Sequence, residues 1–115
     1  MPSSGLSGPF NLTSIGVSTN VTKKSPGAYA LGTVSADGTF NIAYVGRSDD
    51  DVASRLQQHT PEAYTHFKFD YFSSAKAAFE KECRLYHDFK PRDNKVHPDR
   101  PKNANWSYPV CSIFD

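Results

Sequence analysis

The chain is short of several things that would define it quickly. It has only two cysteines, Cys83 and Cys111, in 115 residues, so it is not a disulfide scaffold. Both are expected as reduced thiols in a cytoplasmic protein. No stretch approaches the roughly 20 apolar residues that span a bilayer, so no membrane partner is expected. Met1 to Gly8 has neither a basic stretch nor an apolar run, so a secretory signal is not expected. The Asn-x-Ser/Thr strings at Asn11, Asn20 and Asn105 are then read as chance matches. Charge of one sign is also missing: 13 basic and 12 acidic residues leave a net charge of +1, which argues against tight, general nucleic-acid binding. The distribution is less even. Lys81 to Lys102 holds seven basic residues against four acidic ones.

What is present suffices for one globular domain. Hydrophobic residues make up 37% and aromatics 13%, too apolar for a disordered chain. A chain of this length buries one core. No internal repeat or low-complexity segment is visible.

Residues 1–26 are rich in Ser, Thr, Gly, Pro and Asn and read as a partly flexible extension, with a short edge strand conceivable over Leu12 to Val17. Residues 28–34 and 40–46 read as strands. Asp37-Gly38 in their short connector signals an antiparallel hairpin. Ser48 followed by three aspartates reads as a helix start, with Ser48 as cap and Asp51 answering it. That helix should run to about His59 and stop near Pro61. Residues 65–72 alternate, placing Phe67, Phe69 and Tyr71 on one face of a half-buried strand. Ser73-Ser74 caps a second helix from Ala75 to about Phe89, closed by Pro91. The expected fold is α+β, a small three-stranded antiparallel sheet flanked by helices in the order β-β-α-β-α. Residues 95–115, with Trp106, Tyr108, Val110 and Phe114, read as a tail packing back on the core.

Polar residues stand where apolar ones belong. Ala75, Ala78, Phe79, Tyr86 and Phe89 form one stripe of the second helix, and Glu82 falls in its middle. A carboxylate there must be ion-paired, hydrogen-bonded or metal-bound. A buried pair with an arginine and a metal site are both open. On the first helix, Arg55 and His59 lie one turn apart beside the inward Val52 and Leu56. Either can simply reach for water. Convergence of all three on one sheet points to a site. Tyrosine in a strand usually packs, and Tyr64, Tyr71, Tyr86 and Tyr108 are read that way.

An ordered set of strings singles out the rest. Gly27-Ala28-Tyr29 and Tyr44-Val45-Gly46 are followed by Arg55, His59, Glu82 and Asn94, and Ala78 to Glu82 leads on to Leu85, Pro91 and Asn94. Residues 27–94 thereby resemble a GIY-YIG catalytic domain, with Ala28 where the family usually has Ile or Val. Such domains occur in homing endonucleases, some restriction enzymes and the excision-repair incision subunit. The resemblance implies metal-dependent hydrolysis of DNA phosphodiesters, leaving a 5′-phosphate. It implies Glu82 as ligand of Mg²⁺ or Mn²⁺, hard cations suited to a carboxylate. Tyr29 would polarise or deprotonate the attacking water. A phenol needs help for this, and His59 is the expected helper, imidazole being the side chain that exchanges protons near neutral pH. Tyr44 would orient the water or a phosphate oxygen, Arg55 would clamp the phosphate with its fork, and Asn94 would orient the site. Arg47 is either a further phosphate contact or a solvated surface group. With no appended targeting module in view, direction by DNA structure or by a partner protein is expected. RNA is left open as substrate.

Two further classes stay open. One is a non-catalytic nucleic-acid- or protein-binding module on the same fold. The other is a zinc-stabilised domain using Cys83, His87, His97 and Cys111, although the spacing has no standard form and Cys-x-x-Cys is absent.

Overall fold

A computed structural model describes residues 5–60, 64–89 and 91. The order of elements is β1 (Ser7–Asn11), α1 (Ser14–Asn20), β2 (Gly27–Val34), β3 (Phe40–Ser48), α2 (Val52–His59), β4 (His66–Tyr71) and α3 (Ala75–Phe89). The architecture is α+β. The strands form one antiparallel sheet of order β1-β4-β2-β3, so β2 is central and β3 is an edge.

The β2–β3 hairpin closes through Ser35 to Thr39. Asp37 accepts hydrogen bonds from the Ser35 hydroxyl and the Thr39 amide, and Gly38 takes a positive φ of 88° in the turn. Six successive residues of β2, Gly27 to Gly32, are buried, because this strand is covered on both faces. Tyr29 and Leu31 face Val52, Leu56 and Phe67 on one side. Ala30 and Val45 face Leu85 on the other. Side chains alternate along a strand, so β2 and β3 each send groups to both layers.

The structure differs from expectation at three points. The sheet has four strands rather than three. The added strand is Ser7–Asn11, paired to β4 through Phe10↔Phe67 and Asn11↔His66. It covers an edge that would otherwise be open. The strand considered over Leu12 to Val17 is instead the turn at Leu12 and Thr13 and the first residues of α1. Its sequence has little helix preference, yet Thr13 accepts from the Gly16 amide at 2.9 Å and Val17 is fully buried. Packing overrides propensity there. Finally, the cap of α2 is Asp51, which accepts from the Ser54 amide, not Ser48. Ser48 remains in β3, paired to Gly27, and its hydroxyl accepts from the Asp51 amide at 2.9 Å. Strand pairing holds Ser48 extended and moves the helix start three residues on. Ser74 caps α3 as expected, accepting from the Ala77 amide. The expected tail, 95–115, lies outside the described residues.

Candidate functional site

The site lies at the edge strand, where the two faces of the sheet meet. On the α2 face, Tyr29 is buried to 1% exposure and its hydroxyl is 2.8 Å from His59 Nε2. The ring of Tyr44, half-buried, centres 5.5 Å from the His59 ring. His59 thus sits between two tyrosines from neighbouring strands, in the last turn of α2.

Gly46 makes this possible. It pairs directly with Tyr29 across the sheet, and a Cβ at Gly46 would lie 2.5 Å from the Tyr29 hydroxyl oxygen. The phenol therefore occupies the volume that any other residue at 46 would fill. Gly27 serves the helix in the same way, since a Cβ there would lie 2.8 Å from the Cβ of Val52.

On the α3 face, Glu82 is 7% exposed, in the stripe of Ala78, Phe79, Cys83 and Leu85. Arg47, on the same face of β3 as Val45, donates from Nη1 to Glu82 Oε1 at 2.6 Å and from Nε to Asp49 Oδ1 at 2.9 Å. The guanidinium carbon stands 5.1 Å from the centre of the Phe79 ring. Of the two readings of Arg47, a solvated surface group is thus excluded. The ion-pair reading of Glu82 is realised, with an arginine the helical stripe does not identify.

The two arrangements open into one cleft of about 750 Å³, lined among others by Tyr29, Tyr44, Arg47, Arg55 and Glu82. Arg55 is exposed on α2 and its Nη1 is 3.4 Å from Gln58 Oε1. Lys24, from the segment before β2, also lines the cleft, and nothing in its sequence surroundings marks it. The three aspartates after Ser48 line it too, each with a partner: Asp49 with Arg47, Asp50 with the Ser48 hydroxyl and Asp51 with the Ser54 amide. Among the described residues lining the cleft, three cations (Lys24, Arg47, Arg55) thus accompany four carboxylates (Asp49, Asp50, Asp51, Glu82).

Electrostatics distinguish the buried groups. Burial, reinforced by Tyr44, raises the Tyr29 phenol far above the ordinary tyrosine value, with Arg55 pulling the other way. Tyr29 therefore keeps its proton. Burial also raises the Glu82 carboxyl, and Arg47 offsets part of this. For Arg47, burial works against the charge, but Glu82 and Asp49 outweigh it.

Among the described residues, no group of three or more His, Cys, Asp or Glu could hold a metal ion. Glu82 offers the cleft a hard oxygen ligand from α3, beside the three aspartates that follow Ser48. That fits a cation such as Mg²⁺, which keeps several waters and takes one or two carboxylates plus substrate phosphate. It does not fit an ion needing a full protein cage.

The structure thus brings Tyr29, Tyr44, Arg55, Glu82 and Arg47 to one cleft, with His59 against Tyr29 and Tyr44. Asn94, expected beside them, lies outside the described residues. So do His97 and Cys111 of the candidate zinc set. Cys83 is fully buried, and His87 meets the Tyr86 ring edge-on. Comparison with protein-family models, with curated proteins and with solved structures finds no match.

Proposed function

We propose that this chain is a divalent-metal-dependent endonuclease of the GIY-YIG type, hydrolysing DNA phosphodiester bonds. One observation carries the reading: Tyr29, whose hydroxyl is 2.8 Å from His59, lines the same cleft as Tyr44, Arg55 and Glu82.

A phenol raised by burial is a poor base by itself. Its use is to relay. With His59 Nε2 unprotonated, the Tyr29 hydroxyl donates to it and offers its own lone pair to an attacking water. As that water bonds to phosphorus, its proton passes to Tyr29 while the Tyr29 proton passes to His59. Tyr44 holds the water or a nonbridging oxygen in line. Arg55 clamps the nonbridging oxygens with its planar fork. Glu82 would hold the cation, Mg²⁺ or Mn²⁺, whose chemistry is to neutralise charge on the phosphate and leaving oxygen. The balance of charges lining the cleft gives it no general pull on a polyanion, so direction by DNA structure or by a partner protein accompanies the proposal.

The test is nicking of supercoiled plasmid by the purified protein with Mg²⁺, Mn²⁺ or chelator. Cutting is expected to need metal, to vanish in Glu82→Ala and to drop strongly in Tyr29→Phe. Equal cutting by wild type and Glu82→Ala would overturn the assignment. A second reading, a non-catalytic nucleic-acid- or protein-binding module, is favoured by the Arg47–Glu82 pair, which gives that carboxylate a structural partner. Failure of folded wild type to cut plasmid, branched, single-stranded and RNA substrates would select it.

A further inference from the structure

One guanidinium in the cleft serves two carboxylates of unlike exposure. Its Nη1 holds the buried Glu82, whose side chain is 10% exposed, while its Nε holds Asp49, whose side chain is 43% exposed. Asp49 is two residues along from Arg47 and Glu82 is on α3, so the two contacts can be lost separately. Phe79 beneath the guanidinium keeps its plane in place. Glu82, held through Oε1 at 2.6 Å, lines the cleft in which substrate phosphate would sit. A small divalent cation binds oxygen at about 2.0–2.1 Å. An arginine nitrogen and such an ion cannot share that oxygen without two positive charges meeting at close range.

From this we infer that Arg47 is an exchangeable counter-ion for Glu82. In the resting protein it neutralises the carboxylate and keeps it from the metal. When a divalent cation enters, Arg47 leaves Glu82, pivots on Asp49 and becomes a ligand for the incoming phosphate. Metal and phosphate then favour one another's binding, since phosphate gives the displaced guanidinium an acceptor. The inference rests on Glu82 as the metal ligand.

Its test is binding of Mn²⁺ alone to the intact protein, followed by electron paramagnetic resonance. Arg47→Gln is expected to bind Mn²⁺ about tenfold or more tightly than wild type, a factor worth roughly 1.4 kcal/mol. Arg47→Lys keeps a charge near Glu82 but loses the fork, so it safeguards folding and should fall between the two. Glu82→Gln should lose binding in either background. In the wild type, Mg²⁺ titration should shift the Arg47 Nε–H resonance with the midpoint of metal binding. Inorganic phosphate should tighten Mn²⁺ binding in wild type more than in Arg47→Gln. Equal Mn²⁺ affinity in wild type and both Arg47 variants, with binding still lost in Glu82→Gln, overturns the exchange and leaves the metal reading standing. Binding that is indifferent to Glu82→Gln in every background overturns the metal reading itself.

Discussion

The two faces of the sheet bring polar groups to the cleft by different physics. On the α2 face, the Tyr29–His59 contact joins a phenol and an imidazole, set among Val52, Leu56 and Phe67. On the α3 face, the Arg47–Glu82–Asp49 set is ionic and sits on Phe79. A phenol and an imidazole lose little by leaving water if each finds a partner. A carboxylate and a guanidinium lose a great deal, and their pairing mainly avoids an uncompensated buried charge. The Tyr29–His59 face should therefore depend on shape, and the ionic face on the presence of both partners.

The largest expected effect breaks the ionic side. Glu82→Ala takes from Arg47 its buried carboxylate partner and should cost about 3 kcal/mol of stability, the low end for stranding one member of a buried pair. Denaturant unfolding measures it, and a loss below about 1 kcal/mol would mean that the remaining partners of Arg47 and water satisfy it. The next effect breaks the shape on which the Tyr29–His59 side depends. Gly46→Ala places a Cβ against the Tyr29 hydroxyl and should cost about 1–3 kcal/mol through overpacking. It should also displace the Tyr29–His59 contact, visible as a shift of the His59 ring resonances. Wild-type stability in Gly46→Ala would contradict the close approach.

Tyr29→Phe probes the Tyr29–His59 pair without changing its shape. It should cost about 1 kcal/mol at neutral pH, one hydrogen bond. It should also lower any cleavage rate about 100-fold, the smaller end of general acid–base contributions. Its sharper signature is pH dependence. The folded protein holds the Tyr29 proton more tightly than the unfolded chain, whose tyrosines titrate near the ordinary value of 10.0. Unfolding therefore releases that proton above about pH 10, and stability falls as pH rises from there. Urea midpoints at about pH 8 and 10.5 should diverge in wild type and less so in Tyr29→Phe. Parallel behaviour of the two would remove Tyr29 as the buried phenol. The smallest effect lies outside both pairs: Asp51→Ala removes the cap of α2 and should cost about 1 kcal/mol by thermal melting.

Much of the frame was legible because it is local. Alternation gave β4 its inward Phe67 and Phe69, and helical spacing put Glu82 in one stripe with Ala78 and Phe79. Asp37-Gly38 gave the hairpin, and Ser74 and Pro91 bracketed α3. The failures occur where local and long-range preferences disagree. Ser48 is a good cap by composition but belongs to β3, because Gly27 pairs with it. Residues 14–20 are poor helix formers but bury Val17. Lys24 joins the cleft from a segment with no periodicity to betray it.

The sequence by itself determined which residues lie on which side of each strand and helix, since those periods of two and 3.6 are properties of the backbone. It also determined that Glu82 needed a partner, because a carboxylate on an apolar stripe has no other stable state. Only the tertiary structure decided who the partners are. Arg47 meets Glu82 because β3 is an edge strand whose one face lies under α3, and His59 meets Tyr29 because α2 crosses the other face above Gly46. Such meetings depend on the order of strands and the packing of layers, which short-range periodicity does not encode.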